Sequence, residues 1–322
     1  MAANRGHRSM RGMCCAVLAA ALLLRGGMWY MAHPRAVEPL EAALSAANAV
    51  GTAPSAATEA ADAAQDYPCM VYTPPPQRRS GVQFRAEDAA ELAVRDRAEV
   101  GPDTAALLTA PLELDRNADG PLVLVMHTHA TEAYCDSPDY HSSDPEHSVI
   151  QVGQTLCDRL NANGIRAIHD TTVYDAEGYI DAYEHSAEGI SALLAQYPSI
   201  QIVIDVHRDA VEDADGNQLA LTGQLNGEDV AELLLVMGTD VSGLYHPNWQ
   251  ENVSFALKLQ LLGQRESDGV FRPLLLRASR YNQHLTPHSI LLEVGAAGNT
   301  LEQAEASAVF FADCLKELLD SV

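Results

Sequence analysis

The chain has 322 residues, enough for one large domain or two ordinary ones with a sizeable core. Lysine and arginine number 20 against 44 acidic residues, a formal charge of −24. That balance excludes a nucleic-acid partner, which needs a basic footprint, and electrostatic adsorption to anionic lipid. The six cysteines, Cys14, Cys15, Cys69, Cys135, Cys157 and Cys314, form no CxxC pair, which speaks against a structural zinc ribbon.

In chain order, residues 1–12 read as a cytoplasmic N-terminus carrying Arg5, Arg8 and Arg11. Residues 13–32 read as a membrane anchor or signal segment. The apolar run Met13–Leu24 is short for a span, but joined across Arg25, which can snorkel, it reaches about 20 residues. Basic residues before it favour an N-terminus inside and the bulk of the chain outside. No tidy A-x-A site follows, which favours a retained anchor. Residues 33–84 are rich in alanine and proline, hold too few large apolar residues for a core and read as a disordered tether.

Residues 85–117 read as an approach segment, with a short helix over Ala86–Ala98 and a strand or extended stretch over Leu107–Leu114. The turn sequence Asn117-Ala-Asp-Gly120 then opens a compact domain, residues 118–322. Apolar runs predict strands at Leu122–Met126, Ile165–His169, Ile200–Val206, Leu233–Met237, Leu274–Arg277 and Ser289–Val294. Helical periodicity predicts helices at Val149–Asn161, Ala187–Gln196, Asn248–Gln264 and Thr300–Leu319, with Gly164 as a stop and Asn248 as a cap. Apolar strands without alternation, separated by helices, specify an α/β fold with a mostly parallel sheet flanked by helices. In such sheets, sites gather at the carboxyl ends of strands.

Three apolar strands run into chemically competent side chains: LVLVM into His127-Thr-His129, IQIVIDV into His207, and SILL into Glu293. His129 and Glu132, one turn apart, with His207, offer two nitrogens and a carboxylate, a zinc-type set that leaves a position for water. His127 is the alternative to His129. Asp205 lies two residues before His207 and shares its side of the strand. It either orients a ligand or is satisfied by backbone donors. Glu293, between Leu292 and Val294, suits a general base whose pKa desolvation raises; the plainer alternative is an ion pair with Arg272, Arg277 or Arg280. Arg208 can meet an oxyanion or form a structural ion pair. The polar stretch Ser279–Ser289 reads as a loop over the site, with Arg280, Asn282, His284 and His288 as substrate contacts. His246 reads as packing or a helix start, and Cys135 as a small buried hydrophobe.

HTHATEAY (127–134), VGQTLCDRLNANGI (152–165), YPSIQIVIDVHRDA (197–210), HPNWQENVSFALKL (246–259) and RYNQHLTPHSILLEVGAAGNTLEQA (280–304) together resemble the stage II sporulation protein P family. The resemblance covers roughly residues 118–320. It implies a fold similar to zinc N-acetylmuramoyl-L-alanine amidases, and a zinc-dependent peptidoglycan amidase that also cuts the cross-linking stem peptide as an endopeptidase. It further implies membrane anchoring at the sporulation septum, with stage II sporulation protein D and another engulfment membrane protein as partners. The alanine-rich, acidic tether departs from the family layout. Two rival readings stand beside this one: a zinc carboxypeptidase acting on stem peptides, and a non-catalytic cell-wall tether.

Overall fold

The structure is a computed structural model that describes residues 82–322. The anchor segment, nearly all of the tether, and Cys14, Cys15 and Cys69 lie outside the described residues. Among those described, no helix is long and apolar enough to cross a membrane.

Among the described residues, nine strands form two sheets. The main sheet contains β1 (Val94–Asp96), β2 (Val123–Met126), β3 (Ala167–His169), β4 (Ile202–Asp209), β7 (Leu233–Gly238), β8 (Leu274–Arg277) and β9 (Ser289–Ala296), in the order β1-β8-β7-β9-β4-β2-β3. A small antiparallel hairpin, β5 (Thr222–Leu225) and β6 (Glu228–Ala231), lies outside it. Five α-helices of the described residues interleave: α1 (Thr104–Thr109), α2 (Val149–Ala162), α3 (Ala182–Gln196), α4 (Trp249–Glu266) and α5 (Leu301–Asp320).

The sheet is mostly parallel, as expected, but it is made of two blocks. Strands β9, β4, β2 and β3 run one way, and β7, β8 and β1 run the other, with the β7–β9 pair antiparallel between them. Only the first block therefore delivers its carboxyl ends to the end where β2 and β4 finish.

The expected strands and helices appear within a few residues of their predicted bounds, and their ends have local causes. Ser148 caps α2 by accepting from the Ile150 N–H. Gly164, at φ +80°, supplies the left-handed turn after it. Thr300 and Gln303 close a reciprocal capping box on α5. Asn248 stands at the start of α4, but its side chain makes no cap; its carbonyl accepts from Asn252 instead.

The approach segment differs from expectation. The helix over Ala86–Ala98 stops at Glu91 as a 3-10 turn, and the next residues become β1, paired with β8 at the sheet edge. Leu107–Leu114 is not a strand: Asp103 accepts from Ala106 N and nucleates α1 over its first part, burying Leu108. The compact domain thus begins before Asn117, because these residues complete the sheet and its core. The buried Lys258 of α4 holds α1 in place by donating to the Leu107 and Ala110 carbonyls and to Ser254 Oγ.

The main core lies on one face of the sheet. Ile202, Ile204 and Val206 of β4 and Ile290, Leu292 and Val294 of β9 meet residues of α2, α4 and α5 there. Arg159 of α2 pairs with Asp313 of α5 at 2.8 Å and 2.9 Å across the helix interface. The opposite face is covered more lightly. Ile190 of α3 packs on Leu124, Met126 and Val203, and Tyr281 packs on Leu234, Val236 and Leu291. By the two-residue period of a strand, Asp205, His207 and Glu293 face this second side.

Candidate active site

The second face turns polar at the carboxyl ends of β4 and β9, where His207 and Glu293 are cross-strand register partners. The turn after β2 brings Glu132 to the same place: His207 Nδ1 lies 3.3 Å from Glu132 Oε2. His129 completes the group, with its ring edge-on to His207 at 5.4 Å between centroids. All but Glu293 are nearly inaccessible to solvent; Glu293 is half-buried.

Each of these groups is held by others. Asp205 accepts from Thr128 N–H at 2.8 Å and Thr128 Oγ1 at 2.7 Å, and its Oδ1 lies 2.9 Å from His207 Nε2. Both readings of Asp205 therefore apply at once. Thr128 Oγ1 also meets Ser186 Oγ of α3 at 3.1 Å, and Ser186 Oγ accepts from Asn282 Nδ2 at 3.1 Å. A chain of polar contacts thus runs from Asn282 through α3 to His207. Glu132 Oε2 accepts from the Arg208 backbone N–H at 3.1 Å. Thr131 donates through N and Oγ1 to Asp175 Oδ2, tying the turn after β2 to the segment before α3.

Burial alone would raise the pKa of Glu132, but His207 and Arg208 hold it below the usual carboxylate range. Burial also opposes ionisation of Asp205, and again His207 and the Thr128 bonds pull its pKa down. His207 responds in kind: burial disfavours its charge, yet Asp205 and Glu132 raise its pKa well above the ordinary value. Glu293 is the opposite case. Desolvation, reinforced by the nearby Glu132, pushes its carboxyl up to about 8.

Two atoms in this group are buried without a hydrogen-bond partner among the described residues: His129 Nδ1 and Glu293 Oε2. Orphaned buried polar atoms call for an ion, a water or a reactant. Two donors bound to a tetrahedral zinc at about 2.0 Å stand about 3.3 Å apart, the spacing found between His207 Nδ1 and Glu132 Oε2. The set fits a zinc-type metal in kind, and this one pair fits it in spacing. Among the described residues, however, no three such side chains are already closed around one point.

His127 is placed elsewhere. Its Nδ1 bonds Val206 O at 3.0 Å and its Nε2 meets His169 Nε2 at 2.8 Å. Gly153 of α2 allows this, since a Cβ there would collide with the His127 ring. With both ring nitrogens engaged, His127 is a packed structural residue, and His129 is the one beside His207. Burial and the neighbouring His169 lower the His127 pKa to about 3.

Of the two readings of Arg208, the structural ion pair is the one found. Its Nε donates to Ala133 O at 3.0 Å and its Nη2 to Tyr140 O at 3.0 Å, with Nη1 3.7 Å from Glu132 Oε1. The guanidinium is committed to the turn that carries Glu132, so Arg208 positions that carboxylate rather than standing ready for an oxyanion. Asp209 pairs with Arg272 at 2.7 Å, and among the described residues Glu293 forms no ion pair with Arg272, Arg277 or Arg280.

The polar loop does lie against the second face, but its residues are not equivalent. Asn282 donates to Tyr183 O at 2.7 Å and to Ser186, which makes it part of the supporting chain. Arg280 donates to Tyr245 O at 3.1 Å. His284 faces His246 at 6.5 Å, and neither ring nitrogen of the buried His246 has a partner. His288 sits at the start of β9, bonded to Gln201 O at 3.3 Å and edge-on to Phe255. Five steps along the strand, about 16 Å, separate it from Glu293, so it is not a substrate contact. Cys135, expected to be buried, is exposed.

Two tyrosines that sequence reasoning passed over border the site. Tyr179 stacks on His129 with centroids 3.6 Å apart and planes at 5°. Tyr183 meets the same ring edge-on at 5.4 Å. Burial and the carboxylates of Glu132 and Glu293 raise the Tyr179 phenol to about 12; burial and Asp205 raise that of Tyr183 further. Their four-residue spacing at the entrance to a helix was the available signal.

A sequence model described as stage II sporulation protein P matches residues 56–316. Stage II sporulation protein P of Bacillus subtilis (strain 168) is 27% identical over 217 residues, covering 62% of this chain and 51% of that protein. The chain therefore spans about half the length of this curated relative. Among solved structures, N-acetylmuramoyl-L-alanine amidase from Clostridium difficile 630 is similar over 63% of this chain and 99% of that one, with 12% identity and a TM-score of 0.39. An N-acetylmuramoyl-L-alanine amidase of Nostoc punctiforme is similar over the same shares, with 13% identity and a TM-score of 0.38.

Proposed function

The chain belongs to the stage II sporulation protein P family, and from that premise we propose that it is a metal-dependent peptidoglycan hydrolase of sporulation. Its reaction is the cleavage of the amide between the lactyl group of N-acetylmuramic acid and L-alanine. Endopeptidase action on the cross-linking stem peptide belongs to the same reading. One observation carries it: His207 and Glu293 are register partners on one sheet face, with Glu132 and His129 against them and two polar atoms, His129 Nδ1 and Glu293 Oε2, left unpartnered.

His129, Glu132 and His207 would hold the metal, for which zinc is the best match to two imidazoles and a carboxylate. When bound, zinc supplies Lewis acidity toward a carbonyl and makes water more acidic. The protein's own groups do the rest. Glu293 takes the proton of the attacking water and returns it to the departing nitrogen, a task suited to a carboxyl whose pKa burial raises to about 8. Asp205 fixes the His207 ring from behind, and Thr128 fixes Asp205. Arg208 fixes Glu132. The surrounding setting is the one implied by family membership: an anchored protein acting outside the cytoplasmic membrane at the sporulation septum, beside stage II sporulation protein D and another engulfment membrane protein.

The test is muropeptide digestion by the full chain, with metal analysis of the purified protein and with and without chelator. Release of intact stem peptides from muropeptides, abolished by chelator and restored by zinc, is the expected result. Stepwise loss of C-terminal residues would identify a carboxypeptidase instead. Turnover indifferent to chelator removes the metal from the reading.

A further inference from the structure

The ring of Tyr179 has two faces with different fates. One lies on His129 at 3.6 Å, nearly parallel, and helps to bury that imidazole. The side chain is nonetheless 59% exposed, so its other face is turned to solvent. Ile180 follows it and is 91% exposed. An aromatic and a branched aliphatic side chain, adjacent and open to water at the lip of a buried polar site, form an apolar ledge that nothing in the described domain covers. The ledge is held in register with the site. Asp175, four residues before Tyr179, accepts from Thr131 N and Oγ1 on the turn that carries His129 and Glu132.

We propose that Tyr179 and Ile180 form a sugar platform, on which the C–H face of the N-acetylmuramic acid ring rests during cleavage. The identity of this ligand rests on the hydrolase reading above. The carbonyl carbon of the lactyl group is three bonds from the pyranose ring, a separation of about 4 Å. A carbonyl placed at the His129–Glu132–His207 group therefore brings its sugar against whatever borders that group, and Tyr179 is the exposed border. Aromatic faces carry negative charge density and attract the weakly positive C–H edges of a pyranose. The stack is then His129, Tyr179, sugar, and the stem peptide leaves on the other side of the scissile bond.

Binding is measured with the full chain carrying Glu293→Gln, so that turnover does not intrude. The probes are a peptide-free tetrasaccharide of alternating N-acetylglucosamine and N-acetylmuramic acid, and a sugar-free stem tripeptide, each titrated by calorimetry and saturation-transfer NMR. Adding Tyr179→Ala should weaken the tetrasaccharide about tenfold and Ile180→Ser about threefold, while the tripeptide changes less than twofold. Tyr179→Phe, which keeps the ring, should restore most of the sugar affinity. Ile180→Ser alters an exposed residue, so its effect is read on a folded protein, which the unfolding temperature verifies. Equal tetrasaccharide affinity in all variants overturns the platform. So does equal loss of both probes, which would mean that Tyr179 acts only by supporting His129, and so does failure of the Glu293→Gln parent to bind the sugar at millimolar concentration. Tyr179-dependent sugar binding by a protein that cleaves no muropeptide leaves the platform standing and removes the hydrolase reading alone.

Discussion

The two faces of the β4–β9 pair are made from the same two strands and do opposite work. On one, Ile202, Ile204 and Val206 meet Ile290, Leu292 and Val294, and every side chain is covered by α2, α4 and α5. On the other, Val203 and Leu291 give way to Asp205, His207 and Glu293 within two residues. The apolar face contributes stability and fixes the backbone. The polar face uses that rigidity to hold acids and an imidazole in an environment that disfavours their charges. His207 and Glu293, on central strands, are thus positioned by the core behind them, while His129 and Glu132 depend on the turn after β2.

The sharpest test of this division is Glu293→Gln. The proposed turnover should fall about 10²–10⁴-fold, yet the urea midpoint should not drop, because the amide removes a desolvated carboxyl without opening a cavity. Persistent turnover, or a large loss of stability, would break the contrast. One residue away, Leu292→Ala on the other face should lose about 2–5 kcal/mol of unfolding free energy by equilibrium urea titration. A neutral result there would mean that the apolar face is not what holds β9 in place. A smaller effect is expected from Asp205→Asn. Zinc affinity, read by competition with a chromophoric chelator, should weaken about 10–100-fold, the usual consequence of removing a ligand's orienting carboxylate. Unchanged affinity would make Asp205 a partner of Thr128 alone.

The smallest effect concerns pH. Burial lowers the pKa of His169, the partner of His127, to about 4. An unfolded chain takes up that proton as pH falls through about 6.5, whereas the folded chain does not until about 4. The unfolded state binds more protons across this window, so stability is lost on acidification from about pH 6.5 to 4. His169→Gln should make the fall in urea midpoint shallower over that range. An identical slope in both proteins would show that His169 titrates normally when folded.

Much of this was legible in the sequence. The apolar runs marked the strands because a central strand buried on both sides has no polar residues until its end, and those ends were where His129, His207 and Glu293 stood. Direction was not legible. LLLVMG of β7 has the same composition whichever way it runs, so the antiparallel β7–β9 contact had no signature. The edge strand VRD is too short and polar to stand out, and it forms because β8 offers it a partner. His127 and His129 have the same side chain, and their roles are separated by groups far along the chain: Val206 O, His169 and the open space over Gly153. The two readings of Arg208 stayed open for a similar reason: the carbonyls of Ala133 and Tyr140 that occupy it belong to a turn whose path the sequence does not reveal.

The register of His207 with Glu293 also bears on how such a domain can diverge. One residue inserted between Ser289 and Glu293 would swing the carboxylate into hydrocarbon and Leu292 out of it, and two would carry the carboxylate about 7 Å along the strand. Loops such as residues 210–221 face no such arithmetic. Lineages of this domain are accordingly free to lengthen their connections, while the residue count along two strands is held fixed.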